Sequence, residues 1–274
     1  MLKENTNKMV NLFGQLFTET TGRLDLLSRK RTVSRNIIVE EYFKNNPSLK
    51  ELMIEMSKIS HSTGVSDLDY IVLYDFVKKK RPQYILECGT GISTFIIAQS
   101  IKDNLITSEK GCKLVSMESE KHYYDHQMDI FPKEFNDFVE IIYSPIKLYG
   151  YSFIRGTTYQ DVPEYPYELV FVDGPNQVMR EKGRMCNMDF VKILENSDNP
   201  ISCVIDSRVH TVLAYTQIFG ERKVKWYPKW NLTIINDVVK DDMILSNGLG
   251  DSSDKKRIKK KLLKPRSELE NPLL

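Results

Sequence analysis

ILECGTGIST, residues 85–94, joins an apolar run to a pair of spaced glycines and then to hydroxyl residues. Gly89 and Gly91 allow a sharp turn and let backbone approach a ligand closely, while Ser93 and Thr94 suit the first turn of a helix. The stretch therefore reads as strand, glycine loop, helix. A loop made for phosphate would not want a carboxylate directly ahead of it, yet Glu87 stands there. That acid sets the terms for everything around it.

Working outward toward the N-terminus, the chain reads as helices. Met9, Leu12, Phe13, Leu16 and Phe17 fall at one helical spacing, so their stripe must pack on something. A second helix is announced at Ser48, with Glu51 three residues on and Leu49, Leu52, Met53 and Met56 as its buried face. A third starts near Ser66 and Asp67, ends in Lys78, Lys79, Lys80 and Arg81, and is stopped by Pro82.

Toward the C-terminus, YILEC, KLVSME, VEIIY, ELVFVD and SCVID alternate with loops and amphipathic segments, which predicts a parallel sheet with crossover helices. RKVKWY and NLTIIND after Gly220 predict a closing antiparallel strand pair. The expected organisation is an N-terminal helical extension over 1–65 acting as lid or dimer contact, an α/β ligand-binding domain over 66–245, and a basic tail over 246–274.

In an open α/β sheet, ligands lie at the carboxyl ends of the strands. Here those ends are acidic: Glu87, Glu118, Asp173 and Asp206. Glu118 stands where a carboxylate accepts hydrogen bonds from two ribose hydroxyls, and Glu87 disfavours a pyrophosphate but suits an ammonium. A ribose and an amine without phosphate describe S-adenosylmethionine. On this reading Glu87, Gly89, Gly91, Ser93, Glu118 and Asp173 bind the cofactor. Glu87 and Glu118 also have an ordinary reading as capping or solvated acids; their place at the ends of apolar strands beside the loop favours the ligand.

At these residues the sequence resembles the class I S-adenosylmethionine-dependent methyltransferases. LECGTGIST is similar to their first motif, VSMES to the acidic end of their second strand, and YELVFVDGP to their fourth-strand motif. With Gly183, Arg184 and VIDSR, the pattern resembles the subgroup that methylates small molecules, often sugars or natural-product precursors. The resemblance runs from about Ser66 to Asp237. It implies a Rossmann-like fold, mostly parallel with a C-terminal antiparallel pair, and O-methylation of a small hydroxylated substrate, sugar or glycan-derived among the choices.

Asp173 is then the candidate to orient or deprotonate the acceptor, with His210 as a second catalytic candidate. Asp173 and Asp206 together are the candidate ligands for Mg2+, as in catechol-type methyltransferases, although Ser207 follows Asp206 where those enzymes continue their metal motif. Arg184 has two readings, an anion contact or an ion pair. Tyr151, Phe153, Tyr159, Tyr165 and Tyr167 either wall a substrate pocket or pack an aromatic-rich insertion. Two rival functions share the sheet: a nicotinamide-dependent oxidoreductase and a non-catalytic scaffold.

Composition narrows the setting. With 274 residues, 41% hydrophobic and 28% charged, the chain is long enough for one substantial core. KKRIKKKLLKPR (255–266) concentrates basic charge without an acid, leaving acids in excess over the rest. Such a tail is expected to stay unstructured and to attract anionic surfaces. No apolar run approaches the roughly 20 residues that span a bilayer, and the polar start MLKENTNKMV is unlike a secretory signal, so a cytoplasmic location is expected. Cys88, Cys112, Cys186 and Cys203 stand singly, without the spacing of a zinc site or disulfide framework. The base-methylation signature N/D-P-P-Y and a Pro-Cys nucleophile are both missing, so there is no specific nucleic-acid signal. A homodimer through the N-terminal stripe is the expected assembly.

Overall fold

A computed structural model of the chain describes residues 37–61, 67–105, 111–176, 178–179, 183–206, 208–227, 230 and 232–245. The stripe from Met9 to Phe17 and the basic tail lie outside the described residues. Two compact units divide at Pro47 and Ser48. Residues 37–45 of the first are helical; the second holds the sheet.

Helix α1 (Pro47–Ile59) buries Leu49, Met53 and Met56, one stripe at helical spacing. It opens one residue before the expected Ser48, because proline's fixed φ and missing N–H suit the first helical position. Helix α2 (Asp67–Lys80) carries Asp67 and Asp69 in its first turn and three lysines in its last, charges that complement the helix dipole. Leu68, Tyr70, Ile71, Val72, Leu73, Tyr74 and Val77 are all buried. It packs on α3 (Ile92–Leu105), where the Ser100 hydroxyl donates to the Tyr74 carbonyl at 2.9 Å.

The sheet has seven strands. β1 (Tyr84–Cys88), β2 (Lys113–Glu118), β3 (Val139–Tyr143), β6 (Leu169–Val172) and β10 (Ile201–Asp206) run parallel, in the order β3, β2, β1, β6, β10. β12 (Leu232–Val238) pairs antiparallel with β10, and β11 (Lys225–Tyr227) antiparallel with β12 at the edge. This is a Rossmann-like, mostly parallel sheet, with the reversed strand pair where the sequence predicts it. β1, β6 and β10 are covered on both faces, which is why each reads as a nearly unbroken apolar run.

Two features escape sequence reading. Residues between β3 and β6 form a hairpin, β4 (Ile146–Tyr151) with β5 (Ile154–Tyr159), and β5 pairs with β9 (Cys186–Asn187) in a separate small sheet. Ser152 takes a φ of 53° at the turn, the left-handed geometry that tight hairpins require but that serine rarely advertises. A two-residue strand pair, β7 (Val178–Met179) with β8 (Gly183–Arg184), is too short to leave a periodic signal. The hairpin also settles the aromatic cluster: Tyr151, Tyr159 and Tyr167 belong to the core, and Phe153 is exposed at the tip. Tyr165 stacks on Tyr84. The rings do not share one wall: Tyr165 and Tyr167 line a surface cavity with Asp189 and Lys192, while Tyr151 and Tyr159 pack in the core.

β1 lies between β2 and β6, so the chain order reverses there and a crevice opens at the strands' carboxyl ends. Two glycines close its floor. A Cβ on Gly174 would sit 2.5 Å from Gly89 Cα and 2.8 Å from the Cys88 carbonyl oxygen. Gly89, at a φ of 100°, could not carry a side chain comfortably either. Gly174→Ala is expected to destabilise the protein by about 2 kcal/mol, within the usual cost of over-packing, because backbone rather than a flexible side chain must give way. Gly111→Ala, with nothing within 4 Å of the added methyl, serves as the neutral control in urea denaturation.

Candidate active site

The glycine loop is braced by the acid that precedes it. Glu87 is fully buried; the Ser93 hydroxyl donates to one of its carboxylate oxygens and the Ser116 hydroxyl to the other, each at 2.6 Å. The acid therefore ties the start of α3 and the middle of β2 to the end of β1. Burial pushes its carboxyl up to about 7, against the opposing hydrogen bonds from Ser116, Ser93 and Thr94. Ser93 is spent on this brace and is itself buried. Gly91 is held in turn: its carbonyl accepts from the Gln127 side chain of α4 (Lys121–Ile130) at 3.3 Å, and its N–H donates to the Thr94 hydroxyl at 3.1 Å.

Glu118, at the carboxyl end of β2, is arranged differently. One carboxylate oxygen accepts from the backbone N–H groups of Ser119 and Glu120 at 2.7 and 2.8 Å, which fixes its orientation. The other faces the glycine loop, accepting from the Thr90 hydroxyl at 3.2 Å and more weakly from the Thr90 N–H at 3.4 Å. A preoriented carboxylate whose second oxygen meets a hydroxyl at the mouth of the crevice is what a ribose diol would use.

The ends of β6 and β10 bring two further acids together. Asp173 and Asp206 are close enough that each disfavours the other's ionisation. Burial raises the Asp173 carboxyl above the usual carboxylate range; the Arg208 guanidinium opposes this, and Asp206 and Glu87 add to it. Arg208 is the residue that sequence reasoning missed. One of its terminal nitrogens donates to the Pro175 carbonyl at 2.6 Å, and the other lies 3.6 Å from the Asp173 carboxylate. Nothing in VIDSRVH distinguishes this arginine from any other helix-start cation.

His210 sits two residues further on, at the start of α6 (Val209–Phe219), half-exposed. Arg208, and not His210, is the side chain set against Asp173. Among the described residues no group of three or more His, Cys, Asp or Glu side chains is placed to hold a metal ion. The expected Mg2+ site at Asp173 and Asp206 is therefore without support among the described residues, and Arg208 already supplies positive charge beside Asp173. The side chain of Arg184 lies outside the described residues.

Behind the Asp173–Gly174 turn is a buried polar network. The Asn187 side chain donates to the Gly174 carbonyl at 3.1 Å and to Asp189 at 2.8 Å, and it accepts from the Tyr215 hydroxyl at 3.2 Å. Asp189, at the start of α5 (Asp189–Glu195), also accepts from the Tyr159 N–H at 3.0 Å. The hairpin thus anchors the turn that carries Asp173. Every member is satisfied by another, which gives such a network its stiffness.

Neither a family model nor a curated protein matches the sequence. Solved structures do. The O-methyltransferase TomG from Streptomyces achromogenes, involved in tomaymycin synthesis and solved in complex with SAM, is similar at 18% identity over 61% of this chain, with a TM-score of 0.34. The chain spans 64% of TomG, less than two thirds of its length. SAH-bound methyltransferase PaMTH1 from Podospora anserina is similar at 15% identity, covering 73% of this chain and 94% of its own, with a TM-score of 0.47. Cofactor-bound Rv0187 from MTB shares 14% identity over 69% of this chain and 89% of its own, with a TM-score of 0.42.

The buried acids make stability pH-dependent. Glu87 is raised from 4.5 to about 7, so between those values the folded protein holds a proton that the unfolded chain releases. Its contribution to stability is present below about 4.5 and is lost as pH rises through 7. In urea titrations of ligand-free protein, Glu87→Gln should flatten the fall in stability between pH 5 and pH 8 (roughly the window of that shift). An unchanged slope would show that Glu87 ionises as easily folded as unfolded.

Proposed function

We propose that the protein is an S-adenosylmethionine-dependent methyltransferase that O-methylates a small hydroxylated substrate, with sugars and glycan-derived alcohols as the favoured class. The observation that carries the reading is Glu118. Its carboxylate is oriented by two backbone N–H groups at the end of β2 and offers its free side to a hydroxyl across the glycine loop. A nicotinamide dinucleotide would instead bring a pyrophosphate to a crevice flanked by Glu87, Glu118, Asp173 and Asp206, against their charge. Nothing in the fold favours a scaffold role.

S-adenosylmethionine supplies, when bound, an electrophilic methyl on a positively charged sulfur. The residues present fit it: Glu118 would hold the ribose, the Gly89–Gly91 backbone would line the loop, and the acids at the ends of β6 and β10 suit a cationic ligand. The chain's own chemical task is then positioning and proton removal. Asp173, partly exposed and beside Arg208, would accept the proton of the acceptor hydroxyl. Burial and Asp206 raise its basicity, which suits a general base working near neutral pH. His210 is the alternative base at the same mouth.

A cytoplasmic location, expected from the sequence, is part of the proposal. Among the described residues no helix is long and apolar enough to cross a membrane. A homodimer through Met9 to Phe17 and an anionic surface held by residues 255–266 complete the proposal; light scattering and vesicle flotation test them.

Calorimetry with S-adenosylmethionine and NAD is the direct test, and binding of NAD alone would end the reading. Glu118→Ala is expected to cost about 1.5 to 3 kcal/mol of S-adenosylmethionine affinity while leaving the unfolding midpoint in place. Once an acceptor is found, Asp173→Asn should lower kcat by about 10²-fold with cofactor affinity nearly intact, the scale of a lost acid/base group. Full activity of Asp173→Asn would move the role of base to His210.

A further inference from the structure

Tyr70, on the buried side of α2, presents a hydroxyl that no sequence motif singled out. The residue is 4% exposed, and its hydroxyl is buried without a hydrogen-bond partner among the described residues. A buried hydroxyl left in this way costs about 1 to 3 kcal/mol, so such groups persist where something else satisfies them. Its electrostatic surroundings include the strand-end acids. The carboxylates of Asp173, Asp206, Glu87 and Asp69 all act on it, and with burial they hold the phenol firmly in its protonated, donating form. Three of those acids end β6, β10 and β1; Glu118, on the ribose side, is not among them.

We propose that the Tyr70 hydroxyl donates a hydrogen bond to the α-carboxylate of the bound cofactor's amino-acid moiety, and so selects ligands that carry that group. This rests on the S-adenosylmethionine reading given above. Asp173 and Asp206, where ionised, accept, so they serve the ligand groups that donate: the ammonium of the cofactor and the hydroxyl of the acceptor. The carboxylate is the one ligand group there with no proton to give. It needs a protein donor, and it would meet repulsion from every acid nearby. Arg208 has its two terminal nitrogens turned to Pro175 and Asp173. Its Nε and the Tyr70 hydroxyl are both buried donors without a partner among the described residues; of the two Tyr70 is neutral, and a neutral phenol pairs with a carboxylate without adding charge to the site. It acts as a binding and positioning residue; with its proton held so firmly it is no base.

Tyr70→Phe separates the alternatives when titrated calorimetrically with two probes, S-adenosylhomocysteine and 5′-methylthioadenosine, which lacks the amino-acid carbons beyond the sulfur. The expected result is a loss of about tenfold or more in affinity for S-adenosylhomocysteine, the scale of one hydrogen bond to a charged group, with 5′-methylthioadenosine unchanged. The ligand-free variant should melt no lower than the parent, because the deleted hydroxyl has no partner to lose. Equal losses for both probes, or a lowered melting midpoint, would assign Tyr70 to packing and overturn the proposal. Unchanged S-adenosylhomocysteine affinity would overturn it too, turning the hydroxyl toward the acceptor instead. If the parent protein binds neither probe, the cofactor reading itself fails and this inference falls with it.

Discussion

The site depends on a contact between two backbones. Gly89 after β1 and Gly174 after β6 meet at the point where the sheet's strand order reverses, so closely that neither position has room for a Cβ. Because β1 and β6 are paired in register through Cys88 and Val172, closing the two turns on each other fixes where Asp173 stands relative to the glycine loop. The hydrogen bond from the Asp173 N–H to the Cys88 carbonyl at 2.9 Å completes the junction. The other strand-end acids are hung from it: Glu118 on the β2 side, Asp173 and Asp206 on the β6 and β10 side.

Two supports hold that junction from opposite directions. On one side Glu87 ties β1 to β2 and α3 through the serine hydroxyls. On the other, Asn187 and Asp189 link Gly174 to the β4–β5 hairpin and to Tyr215 on α6. Both supports bury a carboxyl completely, and both carboxyls are pushed up to about 7 by that burial. Inside the protein, then, acid is used as scaffolding, with hydroxyl, amide and backbone donors offsetting the loss of water. At the mouth it is used differently, because Glu118 and Asp173 keep a side turned toward the crevice.

The electrostatic consequence is a cluster of acids at the strand ends, with Arg208 the arginine beside it among the described residues. Such a cluster favours a ligand carrying positive charge and hydroxyl donors, and it disfavours phosphate. It also explains why Tyr70 matters. Among carboxylates that, where ionised, accept hydrogen bonds, a phenol kept protonated by the same acids is the natural contact for whatever the ligand presents that cannot donate.

The amino-acid sequence alone determined the order of strands and helices, because two-sided burial leaves β1, β6 and β10 as unbroken apolar runs and because proline, glycine and charged helix ends mark the boundaries. It also determined which acids end the strands, since that is a matter of chain position. What tertiary structure decided is which way each acid faces. Glu87 and Glu118 are alike on paper, yet one is a fully buried brace and the other lines the mouth, a difference made by Ser116 on the neighbouring strand and by the turn at Ser119 and Glu120. Arg208 and Tyr70 were illegible for the same reason: each reaches the site from an element distant in sequence, 35 residues beyond Asp173 and 17 before Glu87. The hairpin that anchors Gly174 left no signal either, because its turn rests on Ser152 and not on glycine or asparagine. Strand order follows from local pattern; the facing of a side chain follows from its neighbours, and those are chosen by the fold.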